Sequence, residues 1–208
     1  LVASMLTLLR WAALVLSLCL PATFVAISMY HQEMLPVKLL LSMTAAKQYV
    51  PFGVATEVIA MLLSFELLQE AGLRLPDPVG QTASIIGALI VGQSAVEAKV
   101  VSPIAVIVVA LAGICGYVMP SRDLGAAVRL CRLLFVLAAV LLGFYGLMAA
   151  LALLILHLGC LESFGAPYTA PFTDRLGPGG LTGFIKRPNR ADKFRSPHLA
   201  GRNKRRQK

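Results

Sequence analysis

"GALIVGQSAVEAKVVSP", residues 87–103, decides how this chain is to be folded. Apolar sequence runs up to Val96 and resumes at Val100; between them stand Glu97 and Lys99, with Gln93 and Ser94 a turn earlier. Two foldings fit. In the first, the break is a helical hairpin turn at a membrane surface, where Glu97 pairs with Lys99 in water. In the second, the short apolar segment Ser84–Val96 is re-entrant or tilted, because thirteen residues do not comfortably cross about 30 Å of hydrocarbon. Gln93 and Glu97 (i and i+4) then line a water-filled path. Charged groups inside a membrane are costly and mark ion or substrate routes, and a short apolar helix followed by a polar break is the shape of a pore helix and filter turn. The candidate pore or gating residues are therefore Gln93, Ser94, Glu97 and Lys99. The residues alone leave both foldings open.

Composition makes the membrane the natural solvent. The chain is 58% hydrophobic and 14% charged, where an ordinary soluble domain carries about 25% charged residues. The formal charge of +9 is unevenly placed. Residues 1–173 hold eight Lys/Arg and eight Asp/Glu, whereas the segment from Asp174 onward holds eleven Lys/Arg against Asp174 and Asp192. All of the net charge thus follows the last apolar segment. The positive-inside rule places that tail, residues 174–208, in the cytoplasm as a disordered topology anchor; its ending "GRNKRRQK" also suits anionic lipid head groups. Nucleic-acid binding is not expected of a chain otherwise in the membrane.

The expected fold is all-α, a polytopic helical membrane bundle over residues 1–173. Trp11–Tyr30 is an uncharged 20-residue stretch with interfacial aromatics at both ends; Pro21 within it predicts a kink or an early end. His31–Val50 reads as an exposed loop or surface helix. Residues 52–71 are apolar overall yet carry Glu57, Glu66 and Glu70, so an interfacial, packed or re-entrant helix fits better than one facing lipid. Those acids are either solvated, with Arg74 as a partner for Glu70, or an acidic vestibule that gathers cations. Further segments are expected at 84–96, 100–119 and 133–158. Four crossings would put both termini inside, but would also leave Arg122, Arg129 and Arg132 outside, against the usual bias. Small residues recur at helical spacing in two segments: Ser84, Ala88 and Gly92, and Ala139, Gly143, Gly146 and Ala150. In lipid such faces hold helices together, within or between subunits.

No catalytic grouping, metal-ligand spacing or cofactor loop is present in the sequence, and the four cysteines are too scattered for a disulfide framework. The chain reads as a non-enzyme without a cofactor. It begins at Leu1 and enters an apolar stretch with no signal-peptide pattern, which reads as the C-terminal part of a larger protein.

One long stretch, "PFGVATEVIAMLLSFELLQEAGLRLPDPVGQTASIIGALIVGQSAVEAKVVSPIAVIVVA", together with "LPATFVAISMYHQEMLP" upstream and "HLGCLESFGAPYTAPF" downstream, resembles the A-subunit family of bacterial spore germinant receptors, the GerA family, which includes a related sporulation stage V membrane protein. The resemblance covers roughly residues 5–175. It implies a soluble domain upstream of Leu1, and a place in the spore inner membrane beside a permease-like B subunit and a lipoprotein C subunit. It also implies a homo-oligomeric ring whose membrane segments form an ion path opened when a nutrient germinant binds. Gln93, Glu97 and the small face Ser84/Ala88/Gly92 would line or close that path. Two positions depart from the family pattern: Lys99 stands where a small residue, usually Gly, follows "VEA", and Glu162 stands where a basic residue is usual. Beside a signalling subunit that gates ion release, two alternatives remain: a solute or proton-coupled transporter subunit, using Glu57, Glu66 and Glu97, and a non-conducting scaffold for the partner subunits.

Overall fold

The structure is a computed structural model that describes residues 2–73, 79–163 and 166–169. Among the described residues the chain forms seven α-helices: α1 (Val2–Tyr30), α2 (Val37–Lys47), α3 (Val54–Leu73), α4 (Val79–Glu97), α5 (Pro103–Tyr117), α6 (Arg122–Leu142) and α7 (Phe144–Cys160). A single 3-10 turn, Gln32–Met34, separates α1 from α2, and two-residue strands β1 (Glu162–Ser163) and β2 (Ala166–Pro167) pair antiparallel after α7. The basic tail and Arg74 lie outside the described residues. The chain divides into two compact units, residues 13–150 and residues 1–12 with 151–208. In the second, Tyr168 N–H donates to the Leu161 carbonyl at 2.8 Å and closes the β1–β2 pairing.

The larger unit is organised around α3, which packs against α4, α5 and α6. Its Val58, Met61 and Leu62 are buried, as i, i+3 and i+4 residues on one helical stripe are bound to be. α5 and α6 complete the core with Ala105, Val109 and Ala112 and with Phe135, Val136 and Ala139. α4 comes close to its neighbours through glycine: a Cβ at Gly87 would stand 3.1 Å from Leu68 of α3, and one at Gly92 would stand 3.1 Å from Val106 of α5. α1 joins through Ser17, whose hydroxyl donates to the Ala112 carbonyl at 2.9 Å.

Several boundaries differ from the sequence reading. α1 starts at Val2 and runs unbroken through Pro21 to Tyr30; Pro21 removes one backbone hydrogen bond, but burial of Pro21, Ala22, Val25 and Ala26 holds the helix across the gap. α4 is 19 residues long, or about 28 Å at 1.5 Å per residue, longer than the expected segment because Gly80, Gln81 and Thr82 extend the helix ahead of its apolar part. The expected segment 133–158 is two helices. α6 begins a full three turns earlier, at Arg122, and ends at Leu142, because Gly143 takes φ 61° and ψ −136°, a conformation in which only glycine is at ease. The break also divides the expected ladder of small residues: Ala139 belongs to α6, Gly146 and Ala150 to α7. A side chain at Gly146 would collide with the Ala138 carbonyl, so this glycine serves the bend itself.

Tyr30 fixes the bend from α1. Its hydroxyl donates to the Val140 carbonyl at 2.6 Å, one of the carbonyls left without an intrahelical partner at the end of α6, and a Cβ at Gly143 would stand 3.1 Å from its ring. His31 adds an edge-to-face contact with Phe144, ring centroids 5.3 Å apart. Val2–Tyr30 and Asp123–Leu142 are long and apolar enough to cross a membrane, while Ile86–Glu97, Pro103–Tyr117 and Phe144–Cys160 are apolar but shorter. Gly143→Ala therefore combines an unfavourable φ with a clash against Tyr30, and is expected to lower stability by about 1–3 kcal/mol, read as a shifted denaturation midpoint of the detergent-solubilised protein.

Candidate functional site

α5 starts where "SP" precedes an apolar run. Ser102 is the N-cap, its Oγ accepting from Ala105 N–H at 3.4 Å, and Pro103 occupies the first helical turn, where its missing N–H costs nothing. In a capping box, a Glu three residues on would reach back to the N-cap N–H. That position here is Ala105. Glu57 of α3 supplies the carboxylate instead: its Oε2 accepts from Ser102 N–H at 3.2 Å and from Ser102 Oγ at 2.7 Å. The negative group sits at the positive end of the α5 dipole. Glu57 is 2% exposed, and its other oxygen lies 3.7 Å from the Lys47 ammonium at the end of α2. The buried carboxylate thus joins α2, α3 and α5.

The turn between α4 and α5 carries the candidate gating residues. After Glu97 the Ala95 carbonyl accepts from Val100 N–H at 3.0 Å, and the Val96 carbonyl accepts from Lys99 N–H at 3.0 Å. This six-to-one and five-to-two pair is a Schellman ending, whose left-handed residue is usually glycine. Here it is Lys99, with φ 55°, which among the described residues is alone in being non-glycine with positive φ. The left-handed conformation costs a side-chain-bearing residue about 1–2 kcal/mol. The Lys99 ammonium lies over the Tyr49 ring, 4.2 Å from its centroid, a contact that returns about 0.5–1 kcal/mol at an exposed site. The two magnitudes are close. Lys99 is thus held in the place where glycine is at ease by an aromatic from the α2 side.

A second charge cluster lies further along α3. Glu66 accepts from Arg132 Nη2 at 2.8 Å and from Arg129 Nε at 3.0 Å, while Arg129 Nη1 donates to Gln69 Oε1 at 3.0 Å. The Arg132 side chain is 1% exposed and its Nε has no hydrogen-bond partner. Two guanidinium groups of α6 thus converge on one carboxylate of α3.

The structure brings together only some of the residues singled out from sequence. Gln93, Ser94, Glu97 and Lys99 are all exposed at the end of α4. The expected pairing of Lys99 with Glu97 gives way to another contact, the lysine turning to Tyr49. Ala88, Gly92, Gln93 and Glu97 line a cavity of about 510 Å³ between α4 and α5, closed from α3 by Phe65. Gln93 and Glu97 form its polar end; the rest of the lining is apolar apart from the Tyr117 hydroxyl. Gly92 is buried and Ala88 half-buried, while the Ser84 side chain lies outside the described part. Glu57, Glu66 and Glu70 do not meet in one vestibule. Glu57 and Glu66 are separated by about 13 Å along α3, and each faces its own cations; Glu70 is exposed. Sequence reading missed Ser102, Lys47 and Tyr49 as partners. Ser102 had a signal in the "SP" cap pattern; Lys47, the last residue of α2, and Tyr49, in the turn after it, meet their partners only through the tertiary fold.

With this geometry in hand, comparison with known proteins places the chain in a family. The model of the Bacillus/Clostridium GerA spore germination protein family matches residues 1–197, and the chain belongs to that family. Among its relatives is spore germination protein KA of Bacillus subtilis (strain 168), 39% identical over 206 residues, 99% of this chain and 38% of the relative. The uncharacterized membrane protein YfkQ of the same strain is 43% identical over 160 residues, 77% of this chain and 31% of the relative. Spore germination protein GerLA of Bacillus cereus is 37% identical over 198 residues, 95% of this chain and 40% of the relative. The chain thus spans two fifths or less of the length of these relatives. No solved structure matches it.

Removing Glu66 strands a buried guanidinium, so Glu66→Ala is expected to lower stability by about 3 kcal/mol, while the exposed Glu97→Ala changes it by less than about 0.5 kcal/mol. Lys99→Gly is expected to raise stability by up to about 1 kcal/mol, the left-handed cost less the lost ring contact. Chemical denaturation of the three variants in mixed micelles checks all three values.

Proposed function

We propose that this chain is the membrane part of a spore germinant receptor A subunit, and that it takes part in nutrient-triggered ion release. The observation that carries this reading is the GerA family match over residues 1–197, supported by relatives named as spore germination proteins. The setting is a bilayer, in keeping with two helices long and apolar enough to span one and a relative named as a membrane protein. In this reading residues 1–173 form the membrane domain in the spore inner membrane, the basic tail from residue 174 is cytoplasmic, and the subunit forms a homo-oligomer that works with a permease-like B subunit and a lipoprotein C subunit. The ion path runs past the end of α4. Gln93 and Glu97, one helical turn apart and both exposed, present a carboxamide and a carboxylate that replace part of a cation's hydration, as selective pores require. The neighbouring turn at Lys99 acts as the gate, because its strained residue is held by a single side-chain contact.

A transporter would instead use its buried acids as proton carriers. Glu57 suits that role poorly, since one of its oxygens accepts two hydrogen bonds from Ser102 and the other lies 3.7 Å from the Lys47 ammonium, although that second oxygen has no hydrogen bond. The deciding experiment is potassium efflux from liposomes carrying the receptor with its partner subunits, with germinant added. Germinant-triggered efflux that Glu97→Gln reduces severalfold is the expected outcome. An assembled, germinant-binding receptor that passes no ions would refute the channel reading and leave a scaffold.

A further inference from the structure

We propose that Lys47 and Tyr49 are positioning residues for the Glu97–Lys99 turn, so that α2 is the arm through which the turn's conformation is set. The inference rests on the reading of that turn as a gate, and adds what controls it. Two tethers leave the same short stretch of chain. Lys47 approaches Glu57 at 3.7 Å, and Glu57 in turn holds Ser102 on the far side of the turn. Tyr49, two residues on, holds Lys99 at the turn itself, 4.2 Å from ring centroid to ammonium. A displacement of α2 therefore acts on both ends of residues 99–102 at once.

α2 is built to move. None of its eleven residues is buried. Beneath it lies a cavity of about 110 Å³, bounded by Ser28, Leu40, Met43, Lys47 and Ser102 among others, and the Ser28 hydroxyl there is buried without a hydrogen-bond partner. The helix has room on its inner side and little packing to hold it in place. The turn, for its part, is poised: Lys99 occupies a conformation unfavourable for any residue but glycine, and the contact with Tyr49 is of similar size. When Tyr49 withdraws, the Lys99 backbone leaves the left-handed region, the Val100-to-Ala95 hydrogen bond opens, and the carboxylate of Glu97 at the end of α4 is released from its present orientation. When α2 returns, the ring re-forms the cap. The size of the ring contact corresponds to a two- to fivefold change in the balance between the two turn states.

The test reads the turn rather than the flux. In the protein reconstituted in membranes with its partner subunits, Cys19, Cys115, Cys131 and Cys160 are replaced by Ala, Val101→Cys is introduced at a buried position of the turn, and its rate of reaction with a water-soluble thiol reagent is measured. Tyr49→Leu is expected to raise that rate about two- to fivefold, and Tyr49→Phe, which keeps the aromatic face, to leave it unchanged. Lys47→Met is expected to raise it and Lys47→Arg to preserve it. In a Lys99→Gly background the strain is gone, and Tyr49→Leu is expected to have no effect. Equal effects of Tyr49→Leu with and without Lys99→Gly, or none in either background, would overturn the proposal, the first result showing a general loss of packing and the second an absence of coupling. Because labelling needs no ion movement, a Tyr49-dependent rate in a receptor that passes no ions would remove the gate and leave the arm.

Discussion

The structure depends on where one carboxylate is buried. Glu57 is almost wholly removed from solvent, and an ionised group in that position is tolerated only with charge or hydrogen-bond partners in place. Its partners come from different parts of the chain: the backbone N–H and hydroxyl that open α5, and the ammonium that closes α2. Meeting the needs of this single group fixes the start of α5 against the start of α3 and brings the α2–α3 connection over the α4–α5 turn. The helix that begins at Ser102 borrows from α3 the acid that its own sequence lacks.

The other half of α3 repeats the arrangement with the charges reversed. There a guanidinium is the group buried most deeply, and Glu66 answers it while also pairing with Arg129. α3 therefore engages α2 and α5 at one height and α6 at another by polar contacts, with the apolar stripe of Val58, Met61 and Leu62 between them. This also changes how the arginines of α6 bear on membrane orientation. The positive-inside bias concerns charges in short loops near the ends of spans. Arg129 and Arg132 lie within a helix and face a carboxylate, so they weigh little in that count, whereas Arg122, at the first position of α6, still enters it.

Helical character was legible in the sequence because apolar runs of this length have few other solutions, and the acids of α3 marked it as a helix different in kind from the others. Boundaries were less legible. Gly143 looked like one rung of a packing ladder, since a small residue at helical spacing reads the same whether it allows a close approach or a positive φ. Pro21 looked like a break, since its effect is local while the burial that overrides it is tertiary. In the candidate site, Glu97 and Lys99 stand close enough in sequence to invite pairing, yet a Schellman ending carries the lysine away towards Tyr49. The family resemblance marked Lys99 as unusual; only backbone geometry says why a residue without a side chain would be preferred. Partners such as Lys47 and Ser102, 55 residues apart in the chain, meet only through the fold.

The bareness of α2 has a consequence for the order in which the protein comes apart. Local opening free energies follow the packing that each element gives up, from near zero at bare surface elements to the full unfolding value in the core. α2 has no buried residue to give up, whereas α3 and α5 are clasped around Glu57. In hydrogen exchange, the amides of α2 would therefore trade their protons for deuterium long before those of the helices beneath it. Opening of this peripheral helix draws Lys47 from Glu57 and Tyr49 from Lys99, so its effect on the bundle is felt first at the α4–α5 turn.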